Sequence, residues 1–478
     1  MSRNKLSRRL LMLSAALTLA MSQTAFAGET VELNLQEAME RAFNTNPAIN
    51  IAGYNVKSAK ASLDAARSSH LLSITAQHQS QRGGADDERL QQKYNPVDNK
   101  FEPVMTKGIG NQHSNSLTAS LPIYTGGEIR GTVRRAKANY NSVLEGKQKA
   151  YNDMRATVTN GYCDLLQAGN MQQLGRESVQ RLEDQLKNVQ AQYEVGVVAM
   201  VDVLRSQVEL SNAKQSLIQA ENAYQVAEAN LNRIVGLPMD TTLKLDNILT
   251  YSEYAEDMAY CLDYASQYRP ELEQARQGVE AAKGALMVAR SGYMPKIAAS
   301  ATQNWSDTNW PGDENGEWGV GVSVSMNVFD SGVTWSKING AKADLAVAEE
   351  TYRDTVDAVN LDVRNCYLNL REAEKRIGTT ETAVSQAEED YRIAQVRYMA
   401  GVGTNTDVLD AQVALTQAKT NYLQAMYDYN TSKTDLENAM GVPMMFPTKV
   451  TVEPQKEALA KAEAEVNNTA ESEEQAAE

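Results

Sequence analysis

Asp407 and Asp410 stand three residues apart near the end of a long proline-free stretch, so on a helix both carboxylates face one side. Such a pair supplies charge rather than bond-making. It attracts cations and repels anions, and where several copies crowd together each carboxylate raises the pKa of the next, so that charge is lost in mild acid. A second reading stands beside the first: Thr404 precedes Asp407 by three residues in a capping-box-like pair, and acids near a helix N-terminus suit the dipole whatever they face. The remaining reactive residue types form no recognisable site. His70, His78 and His113 are the only histidines and read as scattered surface or strand residues. Cys163, Cys261 and Cys366 are odd in number and lack both metal-ligand spacing and the pattern of a disulfide framework. Nucleophile elbows, phosphate loops, zinc-protease motifs and dinucleotide fingerprints are absent, so neither an enzyme nor a cofactor is indicated.

The acidic pair belongs to one half of an internal duplication. Tyr398, Gly401, Asp407, Gln412, Lys419, Tyr429, Gly441 and Pro443 match Tyr193, Gly196, Asp202, Gln207, Lys214, Tyr224, Gly236 and Pro238 at one constant offset. Gly332 likewise falls on Gly127 and Tyr367 on Tyr162, whereas Asp410 falls on Arg205. Only the second copy therefore carries the acidic pair. No proline separates Pro122 from Pro238 or Pro311 from Pro443. Within those windows apolar residues step by three and four, as in Val179, Leu182, Leu186, Val189 and Tyr193. The spacing predicts long helices over Glu128–Glu194 and Val333–Met399, each near 100 Å at about 1.5 Å per residue. Shorter returns follow over Val201–Val235 and Thr406–Met440, stopped by Gly236-Leu237-Pro238 and Gly441-Val442-Pro443.

Ahead of each long helix lies a pair of candidate strands. Trp318–Phe329 alternates apolar residues with glycine, serine and asparagine; Leu117, Ala119, Leu121 and Ile123 alternate with serine and threonine; Leu72–Gln79 and Ile297–Trp305 repeat this more weakly. Such alternation over about ten residues fits an outer-membrane strand, although a half-buried soluble sheet shows it too. Trp305, Trp310, Trp318 and Trp335 all fall on or beside the second pair, as membrane-interface aromatics would. The glycine-containing polar stretch Arg82–Asn111 reads as a surface loop. Four strands cannot close a barrel, and an open edge in hydrocarbon leaves backbone groups unsatisfied, so strands in lipid demand several copies of the chain.

The chain begins with Arg3, Lys5, Arg8 and Arg9, an apolar run, and Ala25-Phe26-Ala27, a secretory signal peptide over residues 1–27. The net charge of −15 becomes more negative once these cations leave, which excludes nucleic acid as a partner. The copies are assigned to residues 28–240 and 261–443, with 241–260 between them. Residues 444–478 form a tail whose acidic part, Glu453–Glu478, has few apolar residues and reads as disordered.

These features resemble the TolC family of outer-membrane efflux and secretion channels. The resemblance rests on Leu35-Gln36-Glu37-Ala38 with Asn46-Pro47, on Leu121-Pro122-Ile123-Tyr124-Thr125-Gly126-Gly127, and on Tyr193-Glu194-Val195-Gly196-Val197 and Asp407-Val408-Leu409-Asp410-Ala411-Gln412 at the reversals. It implies a mainly α fold with a membrane β-barrel: a homotrimer whose twelve strands sit in outer-membrane lipid above a long periplasmic α-helical barrel. A mixed girdle is implied around the helices, formed by Pro238–Tyr260 and the residues after Pro443. Also implied are a periplasmic adaptor (membrane fusion) protein and an inner-membrane transporter, which together drive solutes through a passive duct. The rival from another class is a soluble, elongated periplasmic coiled-coil scaffold or adaptor.

The resemblance also assigns residues. Asp407 and Asp410 would ring the entrance. Asp202, Gln185 and Tyr398 would tie its helices closed, although Tyr398 and Gln185 also suit coiled-coil packing and surface positions. Gly196, Val197, Gly401 and Val402 would dock the adaptor; the alternative is turn chemistry alone. Gly403 stands where some members carry a latch arginine, so the closed state would have fewer charged ties.

Overall fold

The computed structural model describes residues 30–84, 88–95, 97–107 and 110–442. The leader 1–27 and the tail 444–478 lie outside the described residues. The chain runs β1 (Thr30–Leu33), α1 (Leu35–Thr45), α2 (Pro47–Ser68), β2 (Ser73–Gly83), β3 (Glu88–Asn95), β4 (Lys100–Lys107), β5 (Gly110–Tyr124), α3 (Glu128–Glu194) and α4 (Met200–Val235). It continues with β6 (Thr242–Leu245), α5 (Met258–Tyr268), α6 (Pro270–Arg290), β7 (Lys296–Asp307), β8 (Glu317–Ser325), α7 (Val333–Met399) and α8 (Asn405–Ala439). Helices α3 and α7 are 67 residues each, with the boundaries that the proline-free windows predict.

Capping explains where the shorter helices start. Asn34, Asn46 and Asp257 cap α1, α2 and α5 through their side chains, and Pro47 and Pro270 open α2 and α6, where a missing N–H costs nothing. Two tyrosines anchor the chain between the copies. The buried Tyr162 hydroxyl accepts from the Asp246 amide at 2.8 Å and donates to the Leu33 carbonyl at 3.0 Å, beside the short parallel pair β1–β6. In the other copy buried Tyr429 donates to the Ser252 carbonyl.

The sheet has the order β2-β5-β7-β8, antiparallel throughout, so the β5–β7 pairing joins the two copies. Its register sorts side chains onto two faces. Ile74 and Ala76 share one with Leu117, Ala119, Leu121, Ala299, Ala301, Trp318, Val320, Val322 and Val324; the same stretch of the other holds mostly serines, threonines and glycines. The β8 valines are exposed, and among the described residues β2 and β8 each have one neighbour and one open edge.

Two expectations need correction. Arg82–Asn111 is not a plain loop: β2 runs on to Gly83, β5 starts at Gly110, and β3 and β4 form a hairpin between them. Its polar sequence lacks the apolar alternation that marks a strand with one buried face. The strand expected over Trp318–Phe329 ends at Ser325, which pairs with Lys296. Pro295 precedes Lys296, and Asp330 then turns the chain into α7 by accepting the Gly332 and Thr334 amides. Two of the three histidines are strand residues, as expected. His78 and His113 sit on adjacent strands, each hydrogen-bonded to Ser80 at 2.8 and 2.7 Å.

Candidate entrance at the helix reversals

Each 67-residue helix ends in the same turn. Gly196 (φ 80°) and Gly401 (φ 76°) take the left-handed conformation that other residues adopt only with strain. Two hydrogen bonds close each turn. Gly196 donates to the Tyr193 carbonyl and Val197 to that of Gln192, both at 2.9 Å; Gly401 donates to Tyr398 and Val402 to Arg397, both at 3.0 Å. Val197 and Val402 project from the tips as exposed apolar side chains.

Beyond the turns the copies diverge. Helix α8 begins with a complete capping box: the Asp407 amide donates to the Thr404 hydroxyl at 3.2 Å, and the Asp407 carboxylate accepts from the Thr404 amide at 2.9 Å. At the matching position α4 starts from Ala199, with no side-chain cap. The Thr404 amide, then its hydroxyl and the Arg397 charge, hold the Asp407 carboxyl below the usual carboxylate range. Within the chain this opposes the upward shift that crowding of several such acids would bring. Asp410 is exposed one turn further on. Its counterpart, Arg205, donates to the Thr406 hydroxyl at the other reversal.

The three residues expected to act as ties lie at this level, each with partners that the sequence did not name. Gln185 is 7% exposed rather than on the surface, and it donates to Asn405 Oδ1 at 2.8 Å. Asn405 Nδ2 in turn donates to Ser206 Oγ at 2.9 Å and to the Asp202 carbonyl at 3.2 Å. Asp202 therefore joins through its backbone. Tyr398 donates to Gln192 Oε1 at 2.7 Å; burial first, then the Asp202 charge, pushes its phenol pKa up. Val189, Val203, Ala394, Val408 and Ala411 pack around these groups. Asn405, Ser206 and Gln192 are what the sequence reading missed. The available signal was that Gln185 and Gln192 fall on the apolar row of Leu182 and Val189, at steps of three and four. At Gly403 a side chain would crowd the backbone of Arg397 and Tyr398, with contacts of 3.2 Å.

The tryptophans occupy two levels. Trp305, Trp310 and Trp318 lie at the β7–β8 turn, with Trp310 and Trp318 exposed, whereas exposed Trp335 stands in the first turn of α7 at the other end of β8. Nine residues of strand separate those levels by about 30 Å. No helix among the described residues is long and apolar enough to cross a membrane.

Among the described residues the chain is thus a long helical hairpin in duplicate, joined to an antiparallel sheet with one exposed apolar face and two open edges. The chain belongs to the outer membrane efflux protein family, whose model it matches over residues 38–237 and 261–442. It is 24% identical over 307 residues to outer membrane protein TolC of Escherichia coli K12, an alignment covering 60% of this chain and 62% of that relative, less than two thirds of its length. It is also 24% identical over 300 residues to the alkaline protease secretion protein AprF of Pseudomonas aeruginosa, covering 61% and 62%. The crystal structure of the outer membrane protein VceC of Vibrio cholerae superposes with a TM-score of 0.71 at 18% identity, covering 85% of this chain and 96% of that one. Membership of that family places the protein at the outer membrane, and its relatives are channel proteins rather than enzymes.

Proposed function

We propose that three copies of the chain close a twelve-stranded barrel continuous with a periplasmic α-helical barrel, and that this trimer is the passive exit duct of a tripartite efflux or type I secretion system. The observation that carries the reading is the pair of open edges, β2 and β8, on a sheet whose apolar face is exposed. In hydrocarbon each unpaired backbone group costs several kcal/mol, and pairing β8 of one copy with β2 of the next removes both edges. The two copies, 28–240 and 261–443, then each supply half of a protomer's wall, with 241–260 at the equator. Trp305, Trp310 and Trp318 mark the outer interface of the membrane and Trp335 the inner one. An adaptor docks on Gly196, Val197, Gly401 and Val402 and links the duct to an inner-membrane transporter. Asp407 and Asp410 of three protomers place six carboxylates at one level of the entrance, where they favour cations. Tyr398, Gln185 and Asp202 hold the entrance helices together.

The test is the assembly itself. The mature chain, extracted from membranes, is expected to require detergent, to migrate as a heat-resistant trimer and to conduct ions in planar bilayers. A monomer that stays in aqueous buffer and forms no pore defeats the reading.

A further inference from the structure

We propose that Asn405 is a positioning residue: by fastening the first turn of α8 to α3 and α4, it fixes the direction in which Asp407 and Asp410 point. The inference rests on the reading of those acids as entrance groups. Asn405 is the first residue of α8 and only 3% exposed. Its amide uses one acceptor and both donors: Oδ1 receives Gln185, while Nδ2 serves Ser206 Oγ and the Asp202 carbonyl. The Asp202 carbonyl can only accept, so the orientation of the Asn405 amide is determined. Ser206 is 1% exposed, so the bonds between Gln185, Asn405 and Ser206 are shielded from competing water.

Only a side chain with this donor and acceptor set fits. Aspartate would lose the donors, and leucine would strand a buried amide and a buried hydroxyl. The matching residue of the other copy is Met200, which is exposed, so nothing equivalent pins the start of α4. Asp407 and Asp410 follow two and five residues after the knot, and Val408 and Leu409 between them are buried. A roll of that first turn therefore moves both carboxylates together, because successive residues are about 100° apart around a helix.

The test uses the full-length trimer in planar bilayers, with trivalent lanthanum as the blocking cation. Spin labels at Val197→Cys and Val402→Cys, with the three native cysteines replaced by alanine, report the separation of the tips. In Asn405→Leu and in Gln185→Leu/Asn405→Leu, where the amide's main partner is also made apolar, the heat-resistant trimer is expected to persist. Lanthanum block should weaken about five- to tenfold, within the usual range of coupling between sites, and the tip separation should shift. Ser206→Ala, the milder lesion, should weaken block about twofold, as loss of part of one net hydrogen bond would. If Asp407→Ala/Asp410→Ala abolishes block while every Asn405 and Ser206 variant keeps both block and separation at wild-type values, Asn405 is merely structural and the proposal is overturned. If the double aspartate variant leaves block unchanged, the entrance reading fails by itself. The tip separation then decides the knot alone, an unchanged value overturning it.

Discussion

Tyr193 and Tyr398 occupy matched positions in the two copies, yet one is 45% exposed and the other 8%. The turns beside them share glycine conformation and hydrogen-bond pattern, so the backbone does not explain the difference. The partners do. Gln192 receives the Tyr398 hydroxyl, and the matched position of the other copy holds Arg397. Ala199 stands opposite Thr404, Met200 opposite Asn405, and Arg205 opposite Asp410. The duplicated chain thus keeps its reversal and differs in the polar residues around it, which makes those residues the place to look for function.

The sharpest way to break this comparison is to remove the acids from each tip in turn. Asp407→Ala/Asp410→Ala is expected to abolish multivalent-cation block in single-channel recordings, whereas Asp202→Ala, which leaves the backbone carbonyl in place, should preserve it. Block that depends equally on both tips would show the copies to be equivalent at the entrance. Next in size comes the tyrosine pair. Tyr398→Ala should cost about 3 kcal/mol, as truncation of a buried aromatic does, and Tyr193→Ala less than about 0.5 kcal/mol. Tyr398→Phe isolates the bond to Gln192 and should cost about 1 kcal/mol. Denaturation of the solubilised protein measures all three, and equal losses for the two alanine variants would contradict the burial.

Capping gives a smaller contrast. Thr404→Ala should destabilise by about 1 kcal/mol, and Ala199→Thr, which offers α4 the cap it lacks, should stabilise by about 0.5 kcal/mol. Amide hydrogen exchange in the first turns of α4 and α8 reports each change locally. Unaltered exchange after Thr404→Ala would mean that the capping box holds nothing.

The ends of the long helices were legible because prolines are absent for more than a hundred residues and glycines close each run. The return helices start one residue earlier than the pattern indicates, at Met200 and Asn405, as a cap read from sequence alone permits. The β3–β4 hairpin was not legible, since apolar alternation is the signal and Glu88–Lys107 has little of it. Nor was the pairing of β5 with β7, in which His113 meets Asp307 across nearly two hundred residues. At the helix reversals, residue type and spacing pointed to the acids, and the family resemblance pointed to Tyr398. Asn405 was invisible because its partners lie 199 to 220 residues away in sequence, and an amide in a helical first turn carries no pattern that names them.

The finest distinction concerns pH. Asp407 serves its own helix as a cap, and its folded-state pKa lies below the usual value because the Thr404 amide and hydroxyl favour the charged carboxylate. A depressed pKa stabilises the fold at pH values above the unfolded value, about 3.9 for aspartate, and that contribution is lost as pH falls through the lower folded value. The stability difference between the wild-type chain and Asp407→Asn should therefore hold from neutral pH down to about pH 4 and shrink below it. Crowding in a ring would do the reverse, raising the pKa and discharging the acids in milder acid. Thermal unfolding of the solubilised protein across pH 3 to 7 distinguishes the two. A difference that already collapses near pH 6 would show that repulsion between protomers outweighs the cap, and would shift the weight of Asp407 from the helix to the entrance.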